Sequence, residues 1–172
     1  GGSAVGDVRT IPLAPDSLSA AAWAPFGWLP ADDTDPADAT HCYEFTLGDP
    51  HVNVIAHAYD EVPHADAGTR CEMFYRHDTH TQTLMVLNVE AVVAVAPGAV
   101  DFSEPEHLET VRAFALRPLD AFALFRGTWH WGPFPLGGQA VRMFNVQGKR
   151  YAEDNTRVDL AAVAGAVFEV LR

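Results

Sequence analysis

A chain of 172 residues with 48% hydrophobic and 20% charged side chains can bury a sizeable core, and it is too apolar to be intrinsically disordered. Its 11 Lys and Arg stand against 23 Asp and Glu, a net charge of -12 with a pI near 4.8, so nucleic acid and anionic membrane surfaces are excluded as partners because both need a basic face. Cys42 and Cys71 have no C-x-x-C spacing and read as free thiols; with no apolar run of about 18 residues and no signal-peptide pattern, the expected location is cytoplasmic.

Gly1-Gly2-Ser3 reads as a cloning remnant and is set aside. Residues 10–172 contain no repeat, low-complexity tract or linker and are expected to form one domain. Ile11-Pro12-Leu13 reads as a first strand. Pro15-Asp16-Ser17 offers an N-cap for a short helix ending at Trp23, which Pro25 and Gly27 stop. Residues 30–40 are acidic and form a surface loop; Asp32-Asp33-x-Asp35 lacks the Gly and the distal Glu of a calcium loop. Strands follow over His41–Leu47 and over Val52–Tyr59, the latter with Val52, Val54, Ala56 and Ala58 on one face. After a polar loop come strands over Cys71–His77, His80–Leu87 and Ala91–Ala96, the last two joined through Asn88-Val89-Glu90 at hairpin spacing.

Beyond Pro97-Gly98, residues 101–112 read as loop or weak helix, and Val111–Leu116 and Ala121–Phe125 as strands. Trp129-His130-Trp131 reads as a turn and Val141–Gln147 as a strand that closes the sheet. Asp159 caps a helix over Leu160–Val163, and Ala166–Leu171 is a last strand. About nine or ten short strands with little helix predict an all-β chain, an antiparallel β-barrel or jelly roll with a short N-terminal helix.

Two stretches carry chemistry. The first, Tyr75-Arg76-His77-Asp78-Thr79-His80-Thr81-Gln82, leads into an apolar strand; the second is Arg126-Gly127-Thr128-Trp129-His130-Trp131-Gly132-Pro133. On a strand, His80, Gln82, Leu84, Val86 and Asn88 share a face. His77 has the opposite parity and joins them only if the chain bends at Asp78-Thr79. Imidazoles and an amide converging in a barrel can bind a divalent metal, or act as a general base with hydrogen-bonding partners. His41, His51, His57, His64 and His107 are assigned no role. Arg70, Arg76 and Arg126 lie near the two stretches, and in so acidic a chain Arg76 and Arg126 suggest a small anionic substrate gripped through its carboxylate. Trp129 and Trp131 either wall the pocket or fill core.

These residues resemble a known family. Leu13 to Trp28 looks like the N-terminal segment of the ureidoglycolate lyases. Arg76-His77-x-x-x-x-Gln82 and Arg126-Gly127-x-Trp129-His130-x-x-Pro133 look like that family's two motifs. The resemblance covers residues 10 to 150 and implies a cupin-like domain, a lyase releasing urea and glyoxylate in purine catabolism, and a homodimer. It implies His77, His130 and Gln82 as catalytic residues, with Arg76, Arg126, Tyr75, His80 and Trp129 around the substrate.

A metal-binding cupin motif laid on the chain puts Tyr75 and Gln82 at the first His and the Glu, with His77 and His130 at the other two positions. Tyr75 also stands where the lyases carry Glu, and Leu124-Phe125 where they carry Tyr-His. Two rival expectations remain beside the lyase. One is a metal-dependent cupin isomerase or oxygenase holding Zn, Ni, Mn or Fe through His77, His130, His80 and Gln82. The other is a non-catalytic barrel that binds a small acid.

Overall fold

The computed structural model describes residues 7–46, 49–149 and 153–172. In chain order its elements are β1 (Arg9–Leu13), β2 (Asp16–Ser17), α1 (Ala20–Trp23), β3 (Gly27–Trp28), β4 (Pro50–His57), β5 (Gly68–Cys71), β6 (Met73–Arg76), β7 (Gln82–Val86) and β8 (Ala91–Ala96). They continue with β9 (Arg112–Leu116), β10 (Ala121–Leu124), β11 (Trp129–Pro135), β12 (Val141–Gly148), β13 (Thr156–Asp159), α2 (Leu160–Ala164) and β14 (Ala166–Leu171). Short 3-10 turns cover Tyr59–Glu61 and Pro105–Thr110. No helix among the described residues is long and apolar enough to cross a membrane.

The strands form three sheets, ordered β1-β14-β5, β3-β10-β7-β12-β4 and β13-β6-β11-β8-β9-β2. The six-stranded sheet lies in the middle, and β8 shows why. All six residues of Ala91–Ala96 are buried. Val92, Ala94 and Ala96 enter a core with Phe168 and Val170 of the three-stranded sheet. Ala91, Val93 and Val95 enter a second core with Leu84, Phe122 and Met143 of the five-stranded sheet. A strand covered on both faces has no polar side to alternate with, so its sequence is a continuous apolar run.

The all-β expectation holds, with differences in arrangement. Among the described residues no sheet closes into a barrel, and β1–β14 and β2–β9 pair in parallel. Asn88-Val89-Glu90 is a crossing between two sheets, because β7 pairs with β10 and β12 while β8 pairs with β9 and β11. The stretch from Cys71 to His77 breaks at Glu72 into β5 and β6, which belong to different sheets. Trp129-His130-Trp131 opens strand β11, and the turn precedes it at Gly127 (φ 79°).

Within His41–Leu47 the described residues show only a bridge from Phe45 to His80; Leu47 lies outside the described residues. The N-terminal helix is capped by Ser19, whose Oγ accepts from Ala22 N at 3.2 Å, while Asp16 and Ser17 form β2. The Val52 and Val54 face of β4 is outward, and its inner face carries His51, Asn53, Ile55 and His57. Asp159 caps α2 as expected.

Candidate active site

The six- and five-stranded sheets splay apart at one side and leave a cavity of about 800 Å³. The period of two on β6 decides what reaches it. Met73, Tyr75 and His77 line it, whereas Phe74 is core and Arg76 points the other way. From β11, His130 faces the cavity beside Tyr75, its partner in register. From the opposing sheet come Gln82 and Leu84 of β7, Gln147 of β12 and Ile55 of β4.

The chain bends at Asp78-Thr79, and this brings two histidines of opposite parity together. His77 and His80 stack with ring centroids 4.8 Å apart, and His130 lies 5.2 Å from His77 on its other side. Asp154 holds the bend. Its carboxylate accepts from Asp78 N at 3.0 Å, Thr79 N at 2.7 Å and Thr79 Oγ1 at 2.5 Å. Burial pushes that carboxyl up, and these hydrogen bonds outweigh it and hold its pKa below the usual range. The Asp154 backbone carbonyl faces His77 Nδ1 at 2.6 Å. A carbonyl can only accept, so Nδ1 carries the proton and Nε2 keeps its lone pair.

Burial lowers the proton affinity of His77, outweighing the Asp154 carbonyl and the nearby carboxylates, and burial followed by the adjacent His77 ring lowers that of His80. In His130 the same effects, burial first and His77 second, bring the pKa down to about 3. All three rings are therefore neutral near pH 7. His80 is sealed in: Phe45 stacks on its outer side, and a Cβ on Gly148 would fall 2.8 Å from its ring, so only glycine fits there.

Gln82 is fixed by an amide relay across three strands. Its Nε2 donates to Asn145 Oδ1 at 2.9 Å, and Asn145 Nδ2 donates to Asn53 Oδ1 at 2.8 Å. Gln82 Oε1 is buried with no partner among the described residues, an acceptor waiting for a donor.

Of the residues expected around a substrate, the structure brings Tyr75, His77, Gln82 and His130 to one cavity, with His80 behind His77. Arg76, Arg126 and Trp129 are elsewhere. Arg76 lies over the Trp129 ring at 4.5 Å and pairs with Asp78 at 3.2 Å. Arg126 donates to the Asp78 carbonyl at 2.9 Å and reaches Glu44 at 3.4 Å. Trp129 packs against Phe102 in the outer core. Among the described residues Arg70 is the arginine that lines the cavity, with Glu72 3.3 Å away. Asp154, Asn145 and Gln147 gave no local sequence signal.

The residues do not fit the metal that a cupin resemblance implies. Imidazole lone pairs lie in the ring plane, and the His77 and His80 rings stack within 22° of parallel, so their nitrogens do not aim at a shared point. Among the described residues no three of His, Cys, Asp and Glu are grouped to hold a metal ion.

No curated protein matches the chain. The model of the ureidoglycolate lyase family matches residues 10–164, which takes in the bend, the amide relay and the whole of β11. The chain belongs to the ureidoglycolate lyase family, and as a member it is an enzyme, a lyase acting on ureidoglycolate.

Proposed function

We propose that the chain cleaves ureidoglycolate, or a close carbinolamide acid, to glyoxylate and urea by histidine acid–base chemistry with no covalent intermediate. In this substrate a hydroxyl and an acylated nitrogen share one carbon. Cleavage needs a base for the hydroxyl proton and an acid for the departing nitrogen. The base is His77: it is neutral, its tautomer is set by the Asp154 carbonyl, and its Nε2 keeps a lone pair with no hydrogen-bond partner among the described residues. As the C–N bond breaks and the aldehyde forms, the proton taken by Nε2 is returned to the nitrogen, so one imidazole serves both halves of the reaction.

His130, with a pKa near 3, holds a proton too weakly to be the acid and orients the substrate. Gln82 Oε1 accepts from the ureido N–H. The Tyr75 hydroxyl, whose bond to Met73 Sδ at 3.6 Å is weak, and the Gln147 amide donate to the carboxylate, and Arg70 supplies positive charge in the same cavity.

The observation that carries this reading is the His77–Asp154 carbonyl bond at the wall of a cavity shared with Gln82 and His130. The test follows urea and glyoxylate from racemic ureidoglycolate, with and without chelator. Enantioselective turnover that survives chelation is expected. Turnover abolished by chelator would refute the metal-free mechanism, and no turnover under any condition would refute the substrate.

A further inference from the structure

The cavity is much longer than ureidoglycolate. Along its floor β12 and β4 pair Gln147 with His51, Asn145 with Asn53, Met143 with Ile55 and Val141 with His57. Gln147 and His57 both line the cavity, and the six steps from His51, the partner of Gln147, to His57 span about 20 Å at about 3.3 Å per residue. Ureidoglycolate, comparable to about two residues of extended backbone, is about 7 Å long.

The walls also differ in chemistry. The His77 end is polar, with Gln82, Gln147 and Tyr75. Beyond it one wall is apolar, formed by Leu84, Ile55, Val62, Trp131 and Phe134, while the partly exposed pairs His57–Glu61 and Arg70–Glu72 also line the cavity, each with its charge partner within 3.3 Å. Leu84, Trp131 and Phe134 are packed into the cores, so this wall is a preformed apolar surface open to the reacting end.

We infer that the enzyme's substrates include N-acyl-α-hydroxyglycines with an extended apolar acyl chain, the acyl tail lying along the Leu84–Ile55–Phe134 wall. This rests on the carbinolamide reading above and extends it. The chemistry is unchanged: the hydroxyl gives up its proton, the C–N bond breaks with its electron pair going to nitrogen, and nitrogen takes the proton. The products are glyoxylate and a primary amide, with no oxidant or reductant needed.

The experiment measures glyoxylate release from N-acetyl-, N-butanoyl- and N-hexanoyl-α-hydroxyglycine and from ureidoglycolate. The expected result is a kcat/KM that rises about fourfold for each methylene buried against this wall. A rising series supports the inference whether or not ureidoglycolate turns over. A flat or falling series with ureidoglycolate cleaved overturns the inference and leaves the carbinolamide reading standing. No glyoxylate from any of the four overturns both.

Discussion

His77 donates its Nδ1 proton to the backbone carbonyl of Asp154 across 2.6 Å, while the carboxylate of that same Asp154 holds the Asp78-Thr79 bend. One residue thus sets both the tautomer of the imidazole and the path of the chain that presents it. Most of the behaviour expected of the site follows from this pair.

If His77 is the base and His130 the orienting ring, His77→Ala lowers kcat by at least about a hundredfold, the usual scale for a general base. His130→Ala retains more activity than His77→Ala. Steady-state kinetics on variants whose circular dichroism matches the parent's measures both. The reverse order would give the base role to His130.

Asp154→Ala leaves the backbone carbonyl in place and removes the carboxylate that accepts from Asp78 and Thr79. The expected cost is about 1–3 kcal/mol of stability, read from denaturant midpoints, because two backbone donors lose a charged acceptor. Turnover falls with it, and Asp154→Glu restores less than half of the loss, since the longer side chain cannot keep both bonds at their present lengths. Parent-like kcat in Asp154→Ala would make the bend independent of this residue.

The pH dependence has a definite sign. His77, His80 and His130 all protonate less readily in the folded chain than at the ordinary histidine value of 6.5. Between the two values the unfolded chain holds more protons, so this stability is fully present above about 6.5 and is lost as pH falls toward the folded values, about 3 for His130. Tm is therefore lower at pH 5 than at pH 7.5, and the drop is smaller in His130→Phe. For the same reason the acid limb of kcat/KM lies below pH 6.5; a limb at or above that value would contradict a buried neutral base.

Arg76→Ala leaves KM within about twofold, because the guanidinium lies over Trp129 and bonds the Gly98 carbonyl, away from the cavity. It lowers stability by about 0.5–2 kcal/mol through the lost ring contact. A KM raised tenfold or more would restore Arg76 as the carboxylate anchor.

Much of this was legible in the chain. Period-two alternation located β6 and β7, and with a bend at Asp78-Thr79 it joined His77 to His80. The same parity rule sets Arg76 opposite Tyr75 and His77, a point the sequence already contained. Local signals were misread where the backbone had another partner. Asn88-Val89-Glu90 has hairpin length but spans two sheets, and the apolar alternation of β4 belongs to its outward face, with Val52 61% exposed.

By itself the sequence determined the chemistry available to this protein: an acidic all-β chain with His77, Gln82 and His130 in two motifs, because composition, strand period and motif spacing are local properties. The tertiary structure alone decided which groups meet. Asp154 reaches His77 from 77 positions away, Asn145 reaches Gln82 from 63, and Arg70 takes the cavity wall that Arg76 and Arg126 do not. Such contacts depend on sheet order and register, which follow from packing three sheets against one another and which no short window of sequence encodes.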